Sequence, residues 1–418
     1  MFCMTLRVKL FYCAVLALIF LGAGRCLAVL SEDGFDFEGP LNEINAAEGV
    51  RYFTLKSEIP DFRQIVHVLE LDPAKSPFEI ESVFGKDCLY GKETVSSMAR
   101  RKNAVAAING AFFTQGGNPL GMTVHQGKII KEPILGRTAF GIAEDGSTFF
   151  DNPKFDARFY FKDSRSDEPR FVELDGINRR PEDDEIVVYT PEFGNRTKTN
   201  SDPAIEVVVA SDRVIAVGKA NSLIPPDGYV IHAGGVMVPE LENIVLNSES
   251  NMELYVNPVW EKARFAVGGG PRLICDGKIV NDASKEKFKS DVVKGRAPRT
   301  ALGVNSSGKL LFVCVDGRQK KSCGMTLGEM ARLMKMLGAR DAMNLDGGGS
   351  TTLYLMGKVM NSPSDGCERP VSQALVLRPR PAEDIIARGL STVSSGARAS
   401  EKLDVPEKSF VLEGKFIQ

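Results

Sequence analysis

The sequence has 418 residues, of which 43% are hydrophobic and 25% are charged, an ordinary composition for a folded, water-soluble protein. Its 52 Lys and Arg residues nearly balance its 54 Asp and Glu residues. The chain therefore lacks the overall positive field that attracts nucleic acid or an anionic membrane, and we expect no nucleic-acid partner.

The first 28 residues have the features of a secretory signal. Arg7 and Lys9 precede an apolar run over residues 10–21, which is short for a transmembrane helix, and small residues lead to Ala28. We predict cleavage after Ala28, no stable membrane anchor once the signal is removed, and a secreted or periplasmic protein. Residues 29–49 are acidic and lack periodicity, so they are predicted to be a tether.

From about residue 50 to residue 380 the sequence predicts one domain rich in strands. A polar helix over residues 94–101 leads into an apolar strand that stops at Asn109 and Gly110. Strand-like runs separated by turn residues predict a β-rich insertion over residues 151–235. Beyond the domain, residues 381–418 mix Ser, Ala, Gly and charge and are predicted to form a loosely attached extension.

The same order of elements recurs near the C-terminal end of the domain. Thr326 and Glu329 have the spacing of a capping box before an amphipathic run, and Gly338 can end the helix. An apolar strand then leads to Asp346. Residues 137–141 also echo residues 299–303, which favours two related halves around one cleft. Residues 127–130 also echo residues 277–280, but chance recurrence of Gly-Lys hairpins is the competing interpretation for that pair.

Three consecutive glycines, residues 347–349, follow Asp346. A tight hairpin needs only one or two glycines, and each costs backbone entropy. Without Cβ atoms, successive amides can approach an anion, and the hydroxyls of Ser350 and Thr351 add donors. A carboxylate at this place fits a site that holds phosphate while acting on an adjacent carbon. The alternative is a glycine-rich bulge with Asp346 as its turn residue.

Several segments together resemble the phosphodiester glycosidase family: residues 107–113, 299–303, 316–318, 344–352 and 368–372. The resemblance covers roughly residues 50 to 380. It implies hydrolysis of a sugar-1-phosphodiester at the glycosidic bond, with release of free sugar and a phosphomonoester. The sequence resembles a secreted bacterial member more than a membrane-bound one, which suggests a role in carbohydrate metabolism, including that of exopolysaccharide.

The acids of these segments are the catalytic candidates. Cleavage of the C1–O bond passes through an oxocarbenium-like state that a carboxylate can stabilise or attack. Asp346 is the first candidate, as nucleophile or base, followed by Asp316 and then Glu368. Arginines would clamp the phosphate through bidentate hydrogen bonds, although each of them could instead form a structural ion pair with one of the acids.

Asn109 and Asn344 are expected to orient sugar hydroxyls, and Arg299 is the first candidate for the phosphate clamp. The full predicted substrate-binding set is Asn109, Gly110, Arg137, Arg299, Arg318, Asn344, Gly347, Gly348, Gly349, Ser350, Thr351 and Arg369. No motif requires a cofactor. The three histidines lack the spacing of a zinc motif. The acids near the glycines leave open whether the protein binds a divalent cation.

The predicted fold class is α+β, with mixed β-sheets and flanking helices. Two other functions stay open on the sequence: a non-catalytic binder of phosphate-containing cell-wall or exopolysaccharide glycans, and a metal-dependent phosphodiesterase that cuts the P–O bond. Cys323 and Cys367 flank the glycine stretch and are a candidate disulfide. Unpaired thiols are the alternative.

Overall fold

The computed structural model describes residues 28–32, 35–200, 202–280 and 282–381. The predicted signal peptide before Ala28 and the predicted extension from residue 382 lie outside the described residues. Within these ranges, no helix is long and apolar enough to span a bilayer.

The described residues form 27 strands and five α-helices. The strands are β1 (Ala28–Glu32), β2 (Phe35–Ala47), β3 (Val50–Ser57), β4 (Gln64–Leu71), β5 (Phe78–Phe84), β6 (Ala106–Asn109), β7 (Thr123–His125), β8 (Lys128–Lys131), β9 (Ala139–Ala143), β10 (Thr148–Asp151), β11 (Phe155–Phe161), β12 (Arg170–Glu173), β13 (Gly176–Ile177), β14 (Ile186–Tyr189), β15 (Ala204–Ala210), β16 (Arg213–Gly218), β17 (Gly228–Gly234), β18 (Ser250–Val256), β19 (Ala263–Gly268), β20 (Arg272–Cys275), β21 (Lys278–Ile279), β22 (Arg299–Asn305), β23 (Leu310–Val315), β24 (Ala339–Asn344), β25 (Leu353–Leu355), β26 (Lys358–Val359) and β27 (Gln373–Pro379). The helices are α1 (Val95–Arg101), α2 (Val238–Leu241), α3 (Pro258–Glu261), α4 (Ser290–Lys294) and α5 (Leu327–Met336).

A nine-stranded antiparallel sheet, in the order β1-β2-β3-β4-β23-β22-β24-β20-β21, forms one layer of the molecule. Helix α5 covers one face, with Met330 and Leu333 buried in the cluster that includes the apolar side chains of β23. The predicted capping box begins this helix, because the Thr326 hydroxyl accepts the Glu329 amide and the Glu329 carboxylate accepts the Thr326 amide. Gly338 follows it with φ 83°.

The other face of this layer packs against a second antiparallel sheet, in the order β26-β25-β6-β27-β5. Leu302 and Phe312 of the first sheet share a core with Ile108 and Leu375 of the second. Helix α1 covers the outer face of the second sheet, where Met98 is buried. Helix, sheet, sheet and helix thus form successive layers, and β6 and β24 come from the two different sheets.

A third sheet, in the order β10-β9-β19-β7-β8, joins the same core through Phe140 and Phe265. The inserted region, Phe155–Val256, carries two further sheets, β12-β11-β18 and β13-β14-β17-β15-β16, with a hydrophobic cluster of their own. Strands therefore dominate the insertion, as expected, and it continues past residue 235. The α+β class fits in outline, while the relation of two halves around one cleft remains a prediction.

Residues 29–49 are not a tether, because β1 and β2 lie in this segment and extend the nine-stranded sheet at its edge. Phe35 and Phe37 are buried there, while Asp36 and Glu38 are exposed. This period of two is the pattern of a half-buried strand. Because the exposed face is acidic, the composition of the segment did not reveal this strand pattern.

The five cysteines among the described residues are free thiols. Cys314 is buried within β23, and Cys367 is exposed. The predicted disulfide between Cys323 and Cys367 is not formed, and the fold is held by its hydrophobic layers instead.

Candidate active site

Two strands from different sheets end beside Asp346. The side-chain amide of Asn109, at the end of β6, donates to the Asp346 carbonyl at 2.6 Å, and the Asp346 amide donates to the Gly110 carbonyl at 3.3 Å. The Asn109 side-chain oxygen accepts from the Thr300 hydroxyl at 2.8 Å and the Thr352 amide at 3.1 Å. Asn109 is 0% exposed. It therefore positions Asp346, and these contacts in a side chain closed to solvent do not support the expectation that it orients a sugar hydroxyl.

The carboxyl of Asp346 is half-buried. Burial raises its pKa to about 6, against the opposing effects of the Ser350 hydroxyl, the Gly347 amide and the Arg369 guanidinium. The Gly347 amide donates to its Oδ1 at 3.0 Å. A carboxyl that titrates near neutral pH suits general acid or base chemistry, because it can change its protonation state under working conditions.

Each of the three glycines allows another group to approach closely. A Cβ atom at Gly347 would lie 2.8 Å from the Pro298 carbonyl oxygen, and one at Gly349 would overlap Arg369 and Asp365. Gly348 has φ 61°. A Cβ atom at Gly348 would lie 3.3 Å from the guanidinium of Arg318. The glycine run is therefore required by the close packing of one neighbouring loop and two arginine side chains.

The backbone amides of this stretch are mostly occupied within the protein, which corrects the expectation of an anion-binding nest. Gly348, Ser350 and Thr351 donate to backbone carbonyls, and the amides of Gly347 and Thr352 donate to side chains. Within the described part of the chain, Gly349 alone of residues 347–352 has an amide without a partner. Positive charge at the site comes from side chains, not from a row of amides.

Two predicted arginines, Arg318 and Arg369, lie at the glycines. Arg318 is exposed, and its guanidinium has no hydrogen bond or ion pair with any residue that the structure describes. Its backbone has φ 59°, a conformation that is unfavourable for a side chain of this size and is found at functional sites. Arg369 donates from Nε to Asp365 at 2.9 Å and is also exposed. Both can reach an anion beside Asp346.

Arg299 and Arg137 are placed differently. The guanidinium of Arg299 is 5% exposed and donates to the carbonyls of Met325 at 2.8 Å, Val292 at 2.7 Å and Gly295 at 2.7 Å. Burial lowers its pKa to about 10, and the charge of Arg318 acts in the same direction. These contacts do not support the expectation that Arg299 clamps phosphate. Arg137 lies over the ring of Phe288, 4.1 Å from its centroid.

The other two acids are engaged in structural hydrogen bonds. Asp316 is 3% exposed. Its carboxylate accepts the Ser362 amide at 2.9 Å and lies 3.4 Å from His67 Nε2. The carboxylate of Glu368 accepts the amide of Ser96 at 2.9 Å and its hydroxyl at 2.5 Å, so it caps the first turn of α1. Asp346 is left as the carboxyl with the least structural commitment.

One buried polar atom near Asp346 has no hydrogen-bond partner among the described residues: Asn344 Oδ1. Asn344 is 1% exposed, and its amide nitrogen donates to the carbonyls of Gly270 at 3.0 Å and Leu345 at 2.6 Å. Buried polar atoms are normally paired. An unpaired one near a candidate catalytic carboxyl is consistent with a site whose ligand supplies the missing partner.

Sequence reasoning missed two residues that hold the glycine stretch in place. Asn361 accepts the Leu353 amide at 2.7 Å and donates to the Thr351 carbonyl at 3.0 Å. Thr300 is 0% exposed and lies 3.3 Å from the Thr351 hydroxyl. A polar residue inside the apolar β22 was a detectable signal for Thr300. Asn361 lies in a polar loop without periodicity and gave none.

Within the described ranges, no group of three or more His, Cys, Asp or Glu side chains is arranged to hold a metal ion. A cavity of about 920 Å³ has none of the predicted site residues in its wall. The candidate site is therefore defined by the convergence of side chains at residues 346–349.

Comparison with known proteins shows that part of the chain is similar to a known family. Residues 204–378 match the family model described as phosphodiester glycosidase, which confirms the resemblance predicted from the sequence. The match includes Asp346 and both exposed arginines, and it begins within the insertion, so Asn109 lies outside it.

Two relatives are similar over short segments. The SPbeta prophage-derived uncharacterized protein YomE of Bacillus subtilis is 42% identical over 80 residues, which is 19% of this chain and 12% of the relative. The N-acetylglucosamine-1-phosphodiester alpha-N-acetylglucosaminidase of Mus musculus is 39% identical over 79 residues, 19% of this chain and 15% of the relative. The alignments thus span only a small part of each relative.

Two solved structures share the fold over most of the chain. A hypothetical protein from Synechocystis has a TM-score of 0.73 and 26% identity, and the alignment covers 82% of this chain and 64% of that one. A protein of Burkholderia pseudomallei, described as exported, has a TM-score of 0.64 and 25% identity, with 76% and 74% covered.

Proposed function

Because residues 204–378 match the phosphodiester glycosidase family, we propose that this protein hydrolyses the glycosidic bond of sugar-1-phosphodiesters and releases free sugar and a phosphomonoester. One observation carries the proposal: the half-buried carboxyl of Asp346, with its pKa raised to about 6, lies next to glycines on which Arg318 and Arg369 pack. A carboxyl for the anomeric carbon and cations for the phosphate are the groups that this reaction needs.

In the proposed reaction the bond between C1 and the bridging oxygen breaks. The hydroxide part of water is added to C1, and its proton is taken up by the phosphate oxygen that leaves. Asp346 either attacks C1 and is later displaced by water, or removes a proton from the attacking water. Arg318 and Arg369 bind the phosphate and stabilise the charge that grows on it as the bond breaks, which lessens the need for a separate general acid.

We further propose that the protein is secreted. Arg7, Lys9 and the apolar residues 10–21 form a secretion signal by pattern, and a structural neighbour is described as exported. The substrates are proposed to be glycosyl phosphodiesters, of which an N-acetylglucosamine-1-phosphodiester is the example in a relative's name.

The proposal is tested with purified protein and a sugar-1-phosphate methyl ester or UDP-N-acetylglucosamine. We expect free sugar and a phosphomonoester, and no turnover by Asp346→Asn with an unchanged circular dichroism spectrum. In water enriched in oxygen-18, the label should enter the sugar. Label in the phosphate would instead identify cleavage of the P–O bond by a phosphodiesterase, and no turnover of several sugars by a folded protein would refute hydrolysis.

A non-catalytic binder of phosphate-containing glycans is the second candidate. It is favoured by the structural engagement of Asp316 and Glu368, which leaves one free carboxyl where many glycosidases use two. This candidate predicts affinity for glycan phosphates that survives Asp346→Asn, with no turnover by the parent protein.

A further inference from the structure

The cavity of about 920 Å³ lies between the loop of residues 114–121 and the inserted region. Its wall also contains residues 131–135, 179, 180, 182, 193, 197 and 198. A space of this size accommodates a ligand larger than one sugar ring. None of the interactions proposed for the reaction involves it.

The wall combines apolar surface with aromatic rings. Tyr90 and Phe193 are in edge-to-face contact, with ring centroids 5.2 Å apart, and Leu120 and Ile134 line the same space. Tyr90 is held in place because its hydroxyl accepts the Arg180 amide at 3.1 Å. A ligand that packs flat carbon faces against rings while keeping polar edges fits such a wall.

Asn118 shows what the ligand must donate. It lines the cavity and is 5% exposed, and its side-chain oxygen has no hydrogen-bond partner among the residues described. The amide oxygen of asparagine only accepts hydrogen bonds, and a buried acceptor without a partner is costly. A hydroxyl-bearing ligand supplies the missing donor, whereas a bare anion does not.

Two cations of the wall are available to an anion. Arg180 and Lys198 are exposed, and neither side chain has a hydrogen bond or ion pair within the described ranges. The other two cations are engaged, because Arg179 pairs with Glu132 at 2.9 Å and Lys131 donates to the Ile177 carbonyl at 3.1 Å.

The acids of the wall compensate only part of this charge. Glu132 is paired with Arg179, and the carboxylate of Asp175 accepts the Ile186 amide at 2.8 Å. Glu182 is the remaining carboxylate of the wall. The wall therefore has four cations and three carboxylates, and its net charge of +1, with two cations free of partners among the described residues, favours an acidic ligand.

We propose that this cavity binds an oligosaccharide that carries acidic groups, phosphate or carboxylate, at a site separate from Asp346. Sugar hydroxyls donate to the side-chain oxygen of Asn118, and sugar faces pack on Tyr90 and Phe193. The acidic groups pair with Arg180 and Lys198. The inference rests on the proposed function only in the choice of carbohydrate, since the binding needs no catalysis.

The wall of the cavity is also connected to the candidate active site. Gly121 packs against Gly268, whose Cα lies 3.3 Å from the place of a Gly121 Cβ atom. Two residues further on, the Gly270 amide donates to the Asn344 carbonyl at 2.8 Å, two residues before Asp346. An oligosaccharide held in the cavity is thus anchored on the same framework that carries the carboxyl.

Isothermal titration calorimetry on the purified protein tests the proposal with three probes that contain no glycosyl phosphodiester: hexagalacturonate, a glycerol phosphate hexamer bearing sugars, and neutral maltohexaose. We expect at least one acidic probe to bind more than tenfold more tightly than maltohexaose. The probe preferred identifies carboxylate or phosphate as the natural group. Arg180→Ala with Lys198→Ala should weaken that binding at least tenfold, about 1.4 kcal/mol.

Lys154→Ala with Lys219→Ala is the matched control, because it removes the same charge from exposed positions outside the cavity and should leave the affinity unchanged. Equal weakening by the control, equal affinity for maltohexaose, or no binding of any probe would overturn the proposal. Because no turnover is measured, failure of the hydrolysis assay and failure of this binding are distinguishable.

Discussion

The carboxyl of Asp346 is the group whose protonation should control activity. Its pKa of about 6 means that it is mostly ionised at pH 8 and mostly protonated at pH 5. If it acts as nucleophile or base, kcat/KM should be constant above pH 7 and should fall about tenfold per pH unit below pH 6. A loss of activity above pH 6, with full activity at pH 5, would instead assign Asp346 as a general acid.

The raised pKa also makes a prediction about stability. A carboxyl whose pKa is higher in the folded state than the ordinary 3.8 favours folding below pH 3.8 and opposes it as the pH rises through 6. Asp346→Asn removes this cost, so its free energy of unfolding should exceed that of the parent by about 1–3 kcal/mol at pH 8. Urea unfolding at pH 8 and pH 4 measures the difference, which should nearly vanish at pH 4.

Arg318 and Arg299 are expected to differ in what their loss affects. Arg318 is exposed and unpaired among the described residues. Arg318→Ala should lower kcat/KM roughly 10- to 100-fold, because it removes a charged hydrogen bond to the phosphate worth about 1.5–3 kcal/mol. The unfolding midpoint should not change. Kinetics and thermal unfolding on the same samples test this.

Arg299→Ala is the companion variant. It leaves three backbone carbonyls without their donors and should therefore destabilise the fold by about 2–4 kcal/mol. If Arg299→Ala were as stable as the parent but failed to bind phosphodiester, the clamp role first expected for Arg299 would be restored.

At the scale of elements, the glycine stretch determines where the side chains that pack on it are placed. Gly349→Ala would place a methyl group against Arg369 and Asp365, so this pair must move away from the site. We expect kcat/KM to fall at least tenfold while the far-ultraviolet circular dichroism spectrum is retained. Gly328→Ala in α5 is the control, because a Cβ atom there meets nothing within 4 Å and alanine favours a helix by about 1 kcal/mol.

The elements themselves show which parts of the site a sequence can reveal. Helix α5 and its capping box depend on neighbours three residues apart, so they were predictable. The packing of other groups on the three glycines was not predictable, because their partners Pro298, Arg318 and Arg369 come from separate loops. The same holds for Asn109: its position at a strand end was visible, but its hydrogen bond to the Asp346 carbonyl joins residues 237 apart in the chain.

At the scale of the molecule, the N-terminal strands complete the largest sheet. Phe37 is 0% exposed, and truncation of a buried phenylalanine typically costs about 3–5 kcal/mol. Phe37→Ala should therefore lower the unfolding midpoint strongly, whereas Ile44→Ala in the same strand, at 36% exposure, should change it little. An effect of Phe37→Ala as small as that of Ile44→Ala would show that β2 contributes little to the core.

The strand-rich composition and the insertion were predictable because both depend on local alternation and turn residues. The pairing of β6 and β24 with different sheets was not, since strand order depends on contacts between distant segments. The misassigned tether has the same origin: its partner strand β3 and the cluster that buries its phenylalanines are invisible in a window of twenty residues.

The inserted region has a hydrophobic cluster of its own, so its loops and cavity-facing residues can be replaced at little cost to the layers that hold Asp346. Under the two proposals, substitutions in the inserted region change ligand binding while the proposed catalytic residues stay constant. Divergence among similar proteins should accordingly concentrate in residues 155–256.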